Sequence, residues 1–173
     1  MLRADVALAV AVHVTHGEIV ERARKAFAED AASVPPMSLR SGDDADSYRV
    51  PRAYDPDVDA PTQVLIRQLA FWAIPHLDAD SWRHHLPHLI EYGLAHRSDP
   101  GDLAVEAILW SLRPPDRDPP RLGSLSDEQE AVVVAFLDVL ALDDASEHKD
   151  LATQVIEEWW GPRPLFRPRK PDA

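Results

Sequence analysis

The stretch SDEQEAVVVAFLDVLAL at residues 126–142 predicts the fold class of this chain. Ser126 and Gln129 have the spacing of a capping box, in which the hydroxyl accepts from the backbone amide three residues on and the glutamine side chain reaches back to the first amide. From Ala131 to Leu142 the residues are apolar on nearly every side, which is typical of a helix buried among others. We therefore expect a central helix here, the most buried one of an all-helical fold.

Helical spacing and helix boundaries recur on both sides of this stretch. Thr15 and Glu18 form a second capping box, and the residues after it predict a helix over 16–29. Pro61 suits the first turn of a helix that Pro75 ends. The other segments with helical spacing are 80–96, where Pro87 introduces a kink or a new start, 99–112, and 146–160, which Gly161 and Pro162 end.

These segments predict an all-α fold, a compact bundle of five to six helices. A chain of 173 residues fits one domain, which we place at 15–161. Residues 31–59, rich in Asp, Ser and Pro, are expected to form a long acidic connector. Residues 162–173 contain four prolines and are expected to form an extended Pro/Arg-rich tail. Residues 1–14 fit a strand or a helix, and the pattern does not decide between them.

The composition points to a compartment. The chain has no cysteine, which excludes disulfides, thiolate zinc sites and cysteine nucleophiles and fits a reducing cytoplasm, where we expect this protein. The apolar run from Val6 to Val14 is too short to span a bilayer, and no plausible cleavage site accompanies it. We therefore predict neither a membrane anchor nor a secretion signal.

The charge of the chain limits its partners. The formal net charge of −12 argues against nucleic acid and anionic membranes, because contacts to phosphate need a basic surface. It permits a basic protein partner. Residues 124–161 hold ten acidic residues against Lys149 alone, whereas the tail carries four basic residues against one Asp. Two interpretations of the tail stay open: a solvated loose end, or a segment folded back onto the acidic helices.

Histidine is concentrated between Phe71 and Leu89. His84, His88 and Glu91 follow the spacing i, i+4 and i+7, which on a continuous helix places two histidines and a carboxylate on one face, as in a catalytic zinc site. Pro87 lies between the histidines and removes the regular geometry that this spacing assumes. The first interpretation is therefore structural packing, and a metal-dependent hydrolase is the alternative. No phosphate-binding loop, nucleophile elbow or complete calcium loop is present, so we expect no cofactor.

The candidate binding residues are Trp72, Asp78, Trp82, Arg83 and Trp159. Tryptophans are more often core or interface anchors than ligand cages. Adjacent helix positions point about 100° apart, so Trp159 and the tryptophan after it are not expected to face the core together, and one should be partly exposed. Arg83 is expected to pair with nearby aspartates. Alternatively, it would clamp an anionic small ligand between Trp72 and Trp82.

Two groups of residues resemble the signature of a family of bacterial proteins of unknown function. The groups are Trp72, Pro75, Leu77-Asp78, Ser81-Trp82-Arg83 and Leu86-Pro87, and then Arg121-Leu122, Leu125-Ser126, Gln129, Ala131-Val132, Phe136-Leu137 and Trp160. The resemblance covers about residues 15–160. It implies a small, cytoplasmic, mainly helical protein and implies no reaction, cofactor or catalytic residue. In that family the positions of His84 and His85 are usually aromatic, which weakens a general metal site at these histidines.

The sequence as a whole favours a non-catalytic acidic helical module of the bacterial cytoplasm that binds another protein. The acidic balance, the tryptophans and the lack of an intact catalytic motif support this prediction. An immunity- or inhibitor-like protein is one form of it. A metal-dependent hydrolase that uses His84, His88 and Glu91 is the alternative, and the oligomeric state is not predicted.

Overall fold

The computed structural model describes residues 14–168, and in that range every regular element is helical. The nine α-helices of this range are α1 (His16–Ala26), α2 (Ala28–Ala32), α3 (Leu39–Asp46), α4 (Pro56–Asp59), α5 (Gln63–Ala73), α6 (Ala79–Ala95), α7 (Leu103–Ser111), α8 (Asp127–Leu142) and α9 (Lys149–Val155). Short 3₁₀ turns occupy Ile74–His76 and Leu122–Ser124, and a π-helical turn occupies Ile156–Trp160. The all-α prediction is confirmed, and the predicted count of five to six helices is too low. None of the described helices is long and apolar enough to cross a bilayer.

The central helix of the fold is α6. Eleven of its seventeen residues are buried, against six of sixteen in α8, so the prediction that α8 is the most buried helix is wrong. The cap of α6 is Asp78, whose carboxylate accepts from the Ser81 amide at 3.0 Å. The helix continues through Pro87, although proline has no N–H for the regular hydrogen bond. Apolar residues on both sides of the proline are fully buried, and this packing holds the helix together.

Both predicted capping boxes are present. Thr15 Oγ1 accepts from the Glu18 amide at 3.2 Å, Ser126 Oγ accepts from the Gln129 amide at 3.2 Å, and the side chains at the third positions accept from the capping residues' own amides. The helix predicted over 16–29 is divided into α1 and α2. The division lies at Phe27, which leaves helical geometry with φ −105° and ψ 15° and is fully buried.

The predicted acidic connector contains the buried helix α3. Ser38 caps it, with its hydroxyl accepting from the Ser41 amide at 3.0 Å. α3 packs closely on α5 at Gly42, where a Cβ atom would lie 2.7 Å from the backbone oxygen of Ala73. The prediction of a connector over 31–59 is wrong at α3 because this helix is buried through glycine, serine and one leucine, which give no apolar periodicity.

The last predicted helix ends in a widened turn. After α9 the chain forms a π-helical turn that closes with the Gly161 amide donating to Ile156 O at 2.7 Å. Trp159 and Trp160 are both buried, so the prediction that one of them is partly exposed is wrong. Trp160 donates from Nε1 to Leu112 O at 2.8 Å, at the end of α7. Trp159 lies on the other side, beside Phe166 of the tail, so the two tryptophans are buried against different parts of the chain.

The described part of the tail lies on the acidic helices. The Leu165 amide donates to Glu157 O at 3.0 Å, and the Phe166 amide donates to Glu158 O at 3.1 Å. The Arg167 guanidinium pairs with the Glu130 carboxylate of α8 and lies 5.7 Å from the ring centre of Trp159. Of the two interpretations of the tail, the folded-back one therefore describes residues 162–168. The rest of the tail and residues 1–13 of the N-terminal segment lie outside the described residues.

Candidate functional site

Two of the predicted binding residues are structural. Trp82 is fully buried in the core, and its Nε1 donates to the Ser111 hydroxyl at 3.1 Å. Asp78 caps α6 and accepts from the Ser81 hydroxyl at 2.7 Å. The polar atoms of both side chains are therefore already hydrogen-bonded within the chain. The small-ligand clamp between Trp72 and Trp82 is therefore not formed.

Arg83 connects α6 to α2 and to the 3₁₀ turn at Leu122–Ser124 through hydrogen bonds. Its guanidinium donates to the Asp30 carboxylate at 2.9 Å, to the Ser124 hydroxyl at 2.6 Å, and also to Asp80. The predicted pairing with a nearby aspartate is thus present at Asp80, and the additional partner Asp30 comes from α2, far away in sequence. With three partners already bound, the guanidinium holds three segments together.

The candidate metal ligands do not converge. His84 is buried, with Nδ1 3.1 Å from Asp30 O, while both carboxylate oxygens of Glu91 accept from Arg24 Nη2 at 3.2 Å. Among the described residues, the three-residue group with ligand atoms within 4.8 Å of one another is His96, Asp99 and Asp102, and this group does not include His84, His88 or Glu91.

The Arg67 guanidinium lies beside the group of His96, Asp99 and Asp102. The Arg67 Nη2 atom lies 3.0 Å from His96 Nδ1, 3.4 Å from the Asp99 carboxylate and 3.8 Å from the Asp102 carboxylate. Asp102 also accepts from the Tyr92 hydroxyl at 2.8 Å and caps α7. Both carboxylates are thus paired with the same guanidinium, so the cluster is a salt-bridge network.

His85 is the most perturbed histidine of the α6 cluster. Its ring is fully buried, Nε2 donates to Met37 O at 3.2 Å, and Nδ1 has no hydrogen-bond partner. Burial, together with the smaller effects of the neighbouring His84 and His88, lowers the pKa of His85 to about 4. A ring enclosed in this way is neutral at neutral pH and is inaccessible to a substrate.

An open groove lies at the end of the bundle where α5 and α7 finish. We call it the aromatic groove. It encloses about 480 Å³, and the residues that define it are Phe71, Trp72, Pro75, Trp110, Arg113, Pro115 and Arg117. Phe71, Trp72 and Trp110 are exposed by 37%, 49% and 56%. Trp72 was a predicted binding residue; Phe71 and Trp110 were missed because their exposure depends on how α5 packs against α7.

Local contacts fix the rings of the groove. Phe71 and Trp72 meet edge to face with ring centres 4.8 Å apart. The Arg113 guanidinium lies 4.2 Å above the Trp110 ring and is held there by two contacts of 2.6 Å to the Glu158 carboxylate. The hydrogen bonds from Arg113 hold the pKa of Glu158 below its usual range, so the carboxylate stays charged. One face of Trp110 is thereby covered, and the rest is open to solvent.

Two arginines support the floor of the groove without a carboxylate partner. Arg117 donates to Leu77 O at 3.3 Å and to Pro75 O at 2.5 Å, while Arg121 donates to Ile74 O at 3.2 Å and to Leu77 O. These carbonyls belong to the 3₁₀ turn after α5 and to the residue that follows it, and carbonyls at the C-terminal end of a helical segment favour a cation. Burial and the charge of Arg117 lower the pKa of Arg121 to about 10. Both guanidinium groups are therefore committed to structure.

Asp116, which also lines the aromatic groove, holds its own turn together. Its carboxylate accepts from four backbone amides at 2.7–2.8 Å, those of Arg117, Arg121, Leu122 and Gly123. Burial opposes ionisation, but the amides together lower the pKa of this carboxyl. The charged groups of the aromatic groove are thus bound within the chain, and its open features are rings and indole N–H groups.

A family model described as a family of unknown function, DUF6714, matches residues 15–164. No curated protein and no solved structure matches the chain. The match spans all nine described helices and all the residues named above as defining the aromatic groove.

Proposed function

We propose that this chain, which belongs to the family of unknown function DUF6714, is a non-catalytic binding module. Its docking surface is the aromatic groove, and its ligand is an extended segment of a basic partner protein. An immunity- or inhibitor-like protein is one form that such a module takes. The observation that carries the proposal is the exposure of Phe71, Trp72 and Trp110 around a single groove.

Three of the five aromatic rings that are exposed among the described residues lie around this one groove. Only 7% of the residues are aromatic, and three large rings are nevertheless left open at one place while Trp82, Tyr92, Phe27 and Phe136 are fully buried. Contiguous exposed apolar surface marks interaction sites, and tryptophan is enriched among the residues that dominate binding energy. The rings are held by Arg113 and by each other, so little ordering is required when a partner docks.

The charge of the molecule supports a basic partner. A net charge of −12 attracts positively charged proteins and repels nucleic acids, and such long-range attraction acts mainly on the rate of encounter. The acidic groups that line the groove are already hydrogen-bonded within the chain. Asp116 accepts from backbone amides, and Asp46 is paired with His76 at 3.0 Å. Binding without catalysis is the activity that this chemistry supports.

Site-specific photocrosslinking tests the proposal. p-Benzoylphenylalanine is introduced at Trp110 and, as the matched control, at Val34, which is 75% exposed and does not line the groove. Both variants are irradiated in cells of the source organism, and adducts are identified by mass spectrometry. We expect one basic protein to be crosslinked from position 110 and not from position 34, and the crosslinked peptide to be a non-helical segment.

The same experiment can overturn the proposal. No adduct from position 110, or the same proteins captured from both positions, would show that the groove is not a specific docking surface. Circular dichroism of each variant confirms that the helical fold is retained, which Trp110 permits because its side chain is more than half exposed.

A further inference from the structure

Helix α8 is apolar on nearly every side but is only partly covered. Of its eleven apolar residues five are buried, and the others are half-buried or exposed. Leu142, at the end of the helix, is 75% exposed. A helix that is hydrophobic all round is normally enclosed on all sides. One face of α8 therefore lacks a complete cover among residues 14–168.

This face of α8 forms one wall of a groove, and α1 forms the other. We call it the α1–α8 groove. It encloses about 470 Å³ and is lined mainly by Val14, Ile19, Ala135, Asp138, Val139 and Leu142. Burial raises the pKa of the Asp138 carboxyl, and no cation of residues 14–168 is paired with it. The groove is thus mainly apolar and disfavours an acidic occupant.

The chain enters the described structure at this groove. Thr15 caps α1, and His16 Nε2 lies 3.9 Å from the Asp143 carboxylate, so the start of α1 lies beside the end of α8. Val14, the residue before the cap, lines the groove and is 39% exposed. The residues that precede Val14 therefore join the fold within the groove.

The sequence before Val14 has a composition that suits an apolar groove. Residues 6–12 read VALAVAV, seven apolar residues without a charge. Along α8 the groove extends from Ala135 to Leu142, which is two turns of helix or about 10 Å. Seven residues span about 10 Å as a helix and about 23 Å as a strand. Either of the two conformations that the sequence permits therefore reaches the whole length of the groove.

We propose that residues 6–12 bind in the α1–α8 groove and cover the open face of α8. The segment is joined to Val14 through a single residue, and a segment on so short a tether binds at an effective concentration of about millimolar. Modest apolar contacts are then enough to hold it, whereas a separate protein would have to displace it. The α1–α8 groove shares no residue with the aromatic groove, so this inference does not depend on the proposed function.

The reactivity of an introduced thiol tests the proposal on the full chain, which has no cysteine of its own. Leu142→Cys places a single thiol in the groove. Val64→Cys is the matched control, because Val64 is 65% exposed on α5 and does not line the groove. The rate of alkylation by N-ethylmaleimide is measured for each thiol with the natural segment and with serine at the four larger positions of the segment, Val6, Leu8, Val10 and Val12.

The serine changes remove apolar contacts and leave the charge of the chain unchanged, so the effect of nearby acids on the thiol is the same in both backgrounds. We expect them to raise the alkylation rate at position 142 by about tenfold or more and to leave the rate at position 64 unchanged. If Leu142→Cys reduced the helical circular dichroism, Ala135→Cys, at the other end of the groove, would take its place.

Three results would overturn the inference. An unchanged rate at position 142 would show that residues 6–12 do not cover the groove. An equal rise at positions 142 and 64 would show a general loosening of the fold. Protection of position 142 that disappears on dilution of the protein would identify a second copy of the chain as the occupant.

Discussion

Acidification is expected to destabilise this fold through His85. The ring is fully buried on α6, with its Nδ1 atom unbonded, and burial lowers its pKa from 6.5 to about 4. His84 and His88 act in the same direction, whereas the hydrogen bond to Met37 and the charge of Asp78 act against it. Between these two pKa values the His85 ring is protonated in the unfolded chain and neutral in the folded chain. The contribution is therefore complete above about pH 6.5 and is lost as the pH falls toward 4.

The size of the effect follows from the two pKa values. One pKa unit corresponds to about 1.4 kcal/mol, so the free energy of unfolding should fall by about 2 kcal/mol between pH 7.5 and pH 5, and by about 3 kcal/mol by pH 4. Carboxylates whose pKa is lowered by the fold, such as Asp44 at about 2, lose their protective charge only at lower pH. The interval from pH 7.5 to 5 therefore reports mainly on histidines, and His88, whose pKa burial also lowers, acts in the same direction as His85.

Urea denaturation of the wild-type chain and of His85→Phe, followed by tryptophan fluorescence at both pH values, measures this effect. Phenylalanine retains a ring of similar shape and has no titratable nitrogen, so we expect most of the 2 kcal/mol pH-dependent loss to disappear in this variant. His76→Gln, which changes an exposed histidine, should keep the wild-type dependence. If His85→Phe lost as much stability as the wild type on acidification, the assignment to His85 would be refuted.

Further predictions concern close packing and a buried ion pair, each measured by urea denaturation at neutral pH. Gly42→Ala should destabilise the fold by about 1–3 kcal/mol, because the new Cβ would lie 2.7 Å from Ala73 O, and an unchanged stability would mean that α3 and α5 separate freely. Gly17→Ala, in α1 with no atom near its Cβ position, should instead stabilise by up to about 1 kcal/mol. Arg113→Met should cost about 3 kcal/mol, because it leaves the Glu158 carboxylate buried without a cation; a second change of Glu158→Gln should restore part of that loss, and no restoration would contradict the pairing.

The sequence predicted those parts of the fold that depend on local chemistry. The capping boxes at Thr15 and Ser126 are present because a cap uses residues three positions apart, which the sequence displays directly. Helix α3 was missed because its burial comes from Gly42, a residue that carries no hydrophobic signal and is required only by the approach of α5. The sequence left open whether Pro87 kinks this helix or starts a new one, and the chain continues as one helix since packing on both sides outweighs the loss of one hydrogen bond.

The candidate site was only partly predictable because exposure is a tertiary property. Trp72, Trp82 and Trp159 looked alike in sequence, yet Trp82 is in the core, Trp159 lies under the tail and Trp72 is open. The pairing of Glu91 could not be predicted either. Its carboxylate accepts from Arg24 of α1, which lies 67 residues away in the chain.

Several carboxylates of the acidic segment 124–161 are paired with arginines in the structure. At least three of its carboxylates are paired with arginines from outside the segment: Glu130 with Arg167, Asp143 with Arg97, and Glu158 with Arg113. The local excess of ten acids over one lysine is therefore smaller in space than along the chain, while the net charge of −12 stays distributed over the molecule. A distributed charge accelerates encounter but is screened beyond about 10 Å at ordinary salt, so it specifies no single contact. In the proposed function the affinity must then come from short-range contacts, which the exposed rings of the aromatic groove can provide.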